Sequence, residues 1–214
     1  MTEQPTPPTR ITPRRAATRQ RLLAAASAVI AERGVNGASV ESICEEAGFT
    51  RGAFYSNFAT KEDLLNELMS QKHDELLGRI RTILERSAQD PPAGVEMVDY
   101  LVDQVMAANP QDRESRLVES EVGLYLIRNP EHAPLLLKAM QPFRDELLRL
   151  LTVGLARAGR RLAVAPEDAL NAVIAGYETG TTAMWVAAAS GHGEDLDVCR
   201  RTLTIIVKAI SEPA

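Results

Sequence analysis

Residues 39–63 read SVESICEEAGFTRGAFYSNFATKED, and their punctuation decides the fold. Ser39 suits the N-cap of the helix VESICEEA, because its hydroxyl can accept from an amide that the first turn leaves unpaired. Val40, Ile43 and Ala47 make the inner stripe, and Gly48 supplies the left-handed residue that ends the helix. Phe49 turns the chain, and Thr50 caps a second short helix, RGAFYSNF. Helix, glycine turn and second helix form the helix-turn-helix plan.

Side-chain direction assigns work to that second helix. Phe54 and Phe58 are i, i+4 neighbours, which puts them on one stripe facing a small core with Ile43. Arg51, Gly52, Tyr55 and Ser56 then cover an outward sector. A glycine inside a helix costs about 1 kcal/mol relative to alanine, so Gly52 should answer a need outside the helix. In a DNA major groove Gly52 and Ala53 would let the backbone approach the bases. Arg51 would donate to guanine acceptors and Tyr55 would bond a phosphate. Thr60 caps the next helix and Lys61 stands in its first turn, where the dipole disfavours a cation unless an outside phosphate reverses the balance. Glu62 and Asp63 beside it are the usual first-turn acids.

Upstream, residues 1–13 carry Pro5, Pro7, Pro8 and Pro13 and read as a disordered or extended arm, made basic at its end by Arg10, Arg14, Arg15 and Arg19. A first helix follows over 14–33, with Leu22, Ala26, Val29 and Ile30 on one face and Gly34 as its stop. Downstream, the helix from Thr60 continues through Leu65, Leu68, Met69, Leu76, Ile80 and Ile83 until DPPAG breaks it. Further helices are expected near 94–108, 112–128, 131–159 and 166–190, then a last one ending near Ile210. Pro142 should kink or divide the third of these. The expectation is an all-α chain of about nine helices: an arm over 1–13, a helix-turn-helix domain over 14–60 and a larger helical domain over 61–214.

Composition agrees with close helix packing. The chain has 214 residues, 45% hydrophobic but only 4% aromatic. Its net charge of −5 hides a division, because the first 61 residues hold eight basic against five acidic side chains while the remainder is acidic. Phosphate attraction depends on the local field, since charges beyond a Debye length of about 8 Å are largely screened. Cys44 and Cys199 have neither a disulfide framework nor a metal-site spacing. No apolar run reaches the roughly 18 residues of a membrane span, and the N-terminus lacks the apolar stretch of a secretory signal, so a cytoplasmic protein is expected.

With these residues assigned, the segment AAASAVIAERGVNGASVESICEEAGFTRGAFYSNFATKEDLL resembles the three-helix DNA-binding module of TetR-type transcriptional regulators, running into their fourth helix. The ordered set ERG, AG, GAFYSNF and KEDLL carries the resemblance over roughly residues 15–70. It implies that Arg51, Gly52 and Ala53 face bases, that Tyr55, Asn57 and Lys61 contact phosphates, and that Ser39 and Glu41 approach DNA from the preceding helix. Thr50 and Ser56 complete the candidate interface. Cys44 departs from the family's usual alanine, and Glu41 is an acid turned towards a polyanion.

The resemblance also implies a homodimer through the last two helices, a pseudo-palindromic operator, and repression released by a small apolar or aromatic effector. Ala172, Gly176 and Gly180 repeat every four residues and would offer the dimer a smooth face, with Leu203, Ile206, Val207 and Ile210 on the final helix. Met106, Tyr125, Met140, Phe143, Tyr177 and Trp185 are candidates to line the effector cavity, with Glu121 or Glu178 as a polar handle. No cofactor, metal or membrane partner is expected. One alternative is a thiol-redox regulator using Cys44 or Cys199. Another is a helical enzyme, but His73, His132 and His192 read as surface histidines, and no Gly-x-Ser-x-Gly, His-Glu-x-x-His or phosphate-loop motif accompanies them.

Overall fold

The computed structural model describes residues 12–90, 93–108, 112–190 and 197–214. The Pro-rich arm up to residue 11 and His192 lie outside these residues. Among the described residues the helices are α1 (Pro13–Gly37), α2 (Val40–Ala47), α3 (Arg51–Tyr55), α4 (Lys61–Gln89), α5 (Met97–Ala108), α6 (Arg113–Arg128), α7 (Ala133–Arg157), α8 (Pro166–Ala189) and α9 (Asp197–Ala209). Two short strands, β1 (Arg160–Leu162) and β2 (Ser211–Pro213), pair antiparallel with Arg161 opposite Glu212. The sequence reading did not anticipate these strands. They tie the chain end to the α7–α8 connection, where the Arg160 guanidinium donates to the Ser211 hydroxyl (2.8 Å) and the Lys208 carbonyl (3.1 Å).

Local chemistry sets the helix ends at the front of the molecule. Thr12 caps α1 by accepting from the Arg15 amide, with Pro13 in the first turn. Gly34, at φ +72°, ends the regular part of α1 as its position suggested. Gly48, at φ +68°, closes α2, with the Phe49 amide on the Cys44 carbonyl (2.8 Å) and the Gly48 amide on the Glu45 carbonyl (3.1 Å). Thr60 and Asp63 make a reciprocal capping box at the start of α4 (3.0 and 3.1 Å). Pro142 is carried inside an undivided α7, on an exposed face where the bond lost to its missing N–H is left to solvent.

The front core does not stop at the boundary drawn after residue 60. Leu22, Leu23, Ile30, Ile43, Phe54, Phe58, Leu64 and Leu65 form one buried cluster with Val118, Val122 and Tyr125 of α6. The head is therefore packed onto the body through α1 and α6. A second cluster joins α4 and α7 through Leu77, Leu84 and Leu150, and a third joins Met106 with Cys199 and Leu203.

The glycine stripe of α8 has a different partner from the one expected. A Cβ on Gly176 would run into Ile206 Cδ1, and one on Gly180 would stand 2.7 Å from Cys199 Sγ and 3.0 Å from its Cα. These glycines admit α9 of the same chain, so they are not a free face for a second subunit. Val186 (63% exposed), Val198 and Ile205 (67% exposed) remain open on the same two helices.

Candidate nucleic-acid interface

The outward sector of α3 is built as its spacing required. Phe54 is fully buried and Phe58 nearly so, with ring centroids 5.7 Å apart, and they turn Arg51, Gly52 and Tyr55 outward. Thr50 accepts from the Ala53 amide at 3.3 Å, and Ser39 accepts from Ser42 at 3.1 Å. The regular helix stops at Tyr55, sooner than the eight residues expected. Ser56 and Asn57 continue it as a turn, with their amides on Gly52 and Phe54 carbonyls. The Ser56 hydroxyl and the Asn57 amide both donate to the Ala53 carbonyl (2.9 and 2.8 Å), so they close the open end of the short helix. Asn57 Oδ1 is buried without a hydrogen-bond partner.

Arginines of α1, read from sequence as basic arm, hold this helix in place. Arg15 donates to the Ser56 carbonyl at 2.9 Å; Arg19 donates to the Asn57 carbonyl and pairs with Glu67, its guanidinium 4.3 Å from the centre of the Phe58 ring. Arg21 donates to the Ala47 carbonyl at the end of α2 (2.7 Å). Glu41, the acid in a basic neighbourhood, pairs with Arg51 at 2.8 Å and holds the guanidinium over α3. Lys61 does not point freely outward. Its ammonium donates to the Val35 carbonyl at 3.0 Å and lies 5.7 Å from the centre of the Tyr125 ring.

The eight effector candidates are not brought to one cavity. Tyr125 belongs to the seam between head and body, where its hydroxyl donates to Glu62 at 2.7 Å and His132 stacks on its ring. Burial is the largest influence on Glu62 and opposes its charge, but the Tyr125 hydroxyl, a backbone hydrogen bond and the neighbouring His132 and Lys61 together outweigh it and hold the carboxyl below its ordinary range. Glu121 abuts Gly34, its carboxylate 2.5 Å from where a Cβ would stand. Met106 is core beside Cys199, and Glu178 is exposed. Met140 is half-buried on α7, and Trp185 is half-buried on α8 with its indole nitrogen unpartnered.

Two cavities lie elsewhere in the body. One, of about 150 Å³, lies among α4, α5, α7, α8 and α9 and is lined wholly by aliphatic residues and Gly154, with none of the eight candidates among them. The other, of about 130 Å³, lies between α4, α6 and Tyr177 and is lined by Lys72, His73, Arg79, Asp112, Arg116 and Glu119 with their neighbours. His73 is thus no surface histidine. Its ring stacks on Phe143 at 3.9 Å, and burial lowers its pKa to about 4. Both cysteines are buried, and burial raises both thiols, the reverse of what a reactive thiolate needs. Among the described residues no group of His, Cys, Asp and Glu is placed to hold a metal, and no helix is long and apolar enough to cross a membrane.

Residues 22–68, the head and the start of α4, match the family model of bacterial regulatory proteins, tetR family. The head of the chain is thus similar to that of the tetR-family regulators. The chain's relatives include the transcriptional regulator UidR of Escherichia coli K12, 29% identical over 119 residues, which are 56% of this chain and 57% of UidR. The chain thus spans little more than half the length of that relative. The nicotine-responsive transcriptional repressor HdnoR of Paenarthrobacter nicotinovorans is 26% identical over 145 residues, 68% of this chain and 73% of HdnoR. Among solved structures, Salmonella enterica GusR superposes with a TM-score of 0.67 at 26% identity, covering 90% of this chain and 96% of that one. A putative tetR family regulator from Shewanella sp. PV-4 shares the fold at a TM-score of 0.65 and 19% identity, covering 91% and 98%.

Proposed function

We propose that this chain is a cytoplasmic, homodimeric repressor of the TetR family that reads a pseudo-palindromic operator through α3 and is released when a small molecule enters the helical body. The observation that carries the DNA reading is Gly52. A Cβ there meets nothing nearer than the Thr50 hydroxyl at 3.7 Å, an ordinary contact, so no packing within the chain calls for glycine. Its neighbours Arg51 and Tyr55 are exposed. A duplex is the partner that uses a bare backbone flanked by an arginine and a phenol. Ser39, Thr50, Ala53, Ser56 and Asn57 then shape and flank the contact, and Lys61 exchanges the Val35 carbonyl for a phosphate.

Dimerisation is supported by the apolar side chains that α8 and α9 leave open after packing on each other: Val186, Val198 and Ile205. A two-fold pair would set the two α3 helices about 34–36 Å apart, one turn of DNA. Release by a small molecule is supported by the body's two cavities and by a relative described as nicotine-responsive.

The test is selection of bound sequences from random duplex DNA, followed by affinity against salt concentration for the enriched site. A palindrome with a steep salt slope is expected. Tyr55→Phe should weaken binding on all sequences alike, while Arg51→Ala should relax preference at one base position of each half-site. Weak binding indifferent to sequence would overturn the reading.

A further inference from the structure

The two cavities are stacked along the same helices. On α4 the polar cavity is lined by Leu76 and the aliphatic one by Ile80, four residues on. On α8 the order is reversed, Val173 lining the aliphatic cavity and Tyr177 the polar one. Four residues of helix are about 6 Å, so one step along two helices carries a ligand atom from one environment to the other. The Phe143–His73 stack stands beside that step: His73 lines the polar cavity, and Leu147, one turn beyond Phe143, lines the aliphatic one.

The environments differ in what they can satisfy. In the aliphatic cavity a hydrogen-bonding group would lose its water without gaining a partner, which disfavours it there. In the polar cavity the acids are already engaged and the donors are not saturated. Asp112 accepts from the Ser115 amide at 2.7 Å as the cap of α6, Glu119 pairs with Arg116 at 3.2 Å, and Glu75 stands largely in solvent beside Arg79. On the donor side, Arg116 Nε is buried without a hydrogen-bond partner, and the Lys72 ammonium spends one proton on the Ser115 hydroxyl at 2.7 Å. His73, in the same lining, stays neutral.

We infer that the two cavities form one amphiphile site, which takes a hydrocarbon tail among Ile80, Leu147, Gly154 and Val173 and a carboxylate head on Lys72 and Arg116. This rests on the ligand-released reading of the body and names the class of effector. It replaces the apolar or aromatic molecule suggested by scattered Met and aromatic positions. A carboxylate is the acceptor that pairs with a guanidinium edge and an ammonium together.

The experiment is calorimetric titration of the full chain, without DNA, by a series of straight-chain carboxylates from butanoate to dodecanoate and by the matching alcohols. One carboxylate length should bind best, and its alcohol should bind about tenfold or more weakly. Arg116→Gln should remove that preference while leaving the alcohol's affinity in place. Gly154→Leu should abolish both, because its Cβ stands 3.6 Å from Leu84 and 3.7 Å from Leu101, and the rest of the side chain fills the tail cavity. Unchanged melting by circular dichroism shows that both variants are folded; should Gly154→Leu melt early, Val173→Phe tests the tail in its place. Equal affinity for carboxylate and alcohol, or indifference to Arg116→Gln and to the filled tail, would overturn the site. A carboxylate that binds yet leaves affinity for the selected duplex unchanged would preserve the site and overturn ligand release instead.

Discussion

Gly52 and Gly180 both interrupt helices with a missing side chain, yet they differ in what occupies the space. Around Gly52 the nearest atom to an added Cβ is 3.7 Å away; around Gly180 a neighbouring sulfur is at 2.7 Å and a backbone Cα at 3.0 Å. The body's glycine answers to another helix of the same chain. The head's answers to nothing in the chain. Small residues in the body therefore report on folding, and at the head's surface they report on what the fold presents.

The largest expected effect tests the head as a folding unit. Phe54→Ala removes a fully buried ring from the cluster that also holds Ile43, Phe58, Leu64 and Val118, and should cost about 4 kcal/mol. Because that cluster includes α6, denaturant unfolding should show the head and body losing structure together. A separate early transition confined to the head would break the picture of a shared core.

Next come the two glycines themselves. Gly180→Ala forces Cys199 to shift and should destabilise by about 2 kcal/mol. Gly52→Ala meets no clash and should leave stability unchanged or raise it by up to about 1 kcal/mol, while lowering affinity for the selected duplex about tenfold. Melting curves and DNA titrations on the pair separate the two roles. If Gly52→Ala kept full affinity, the outward face of α3 would have no close partner.

The contrast extends to what the sequence discloses. Head structure follows from short-range rules: Ser39, Gly48, Thr50 and Thr60 each act within a few residues, and each stands where those rules put it. The Phe54–Phe58 stripe likewise follows from a single helix period. The body obeys no such range. Its aliphatic cavity takes residues from five helices, every one of which looks like ordinary core when read alone. Lys72, Arg79 and Arg116 look like solvated helix faces until α4 and α6 are brought together. Periodicity in α8 disclosed that something packs closely on Ala172, Gly176 and Gly180, but not that the partner is α9 of the same chain. His73 failed for the same reason, since its polar sequence neighbours do not announce Phe143 seventy residues away.

His73 makes that buried environment measurable. Its folded pKa of about 4 lies below the ordinary value of 6.5, so the unfolded chain takes up the proton first as pH falls. The stability that this neutral ring contributes is complete above about pH 6.5 and is lost progressively from there to about pH 4. Acid unfolding of the intact chain and of His73→Gln isolates the contribution, because carboxylates titrating in the same range are common to both. The variant should show a shallower fall between pH 6.5 and 4. Parallel curves would place the ring in water.

The smallest effect lies at the seam, where the two regions stop being separable. Tyr125 is buried in the head's core cluster although it belongs to α6, and its hydroxyl donates to Glu62 in the first turn of α4. Tyr125→Phe keeps the ring, the stack with His132 and the face offered to Lys61, and deletes only that bond. The expected loss is about 1 kcal/mol, enough to be read in melting yet small beside Phe54→Ala. Its use is in coupling. If α6 transmits occupancy of the body to the head through this contact, the variant should retain DNA and ligand binding separately while weakening their mutual dependence, as a double titration would measure. An unchanged coupling would assign transmission to the apolar packing of Val118 and Val122 instead, which the substitution leaves intact.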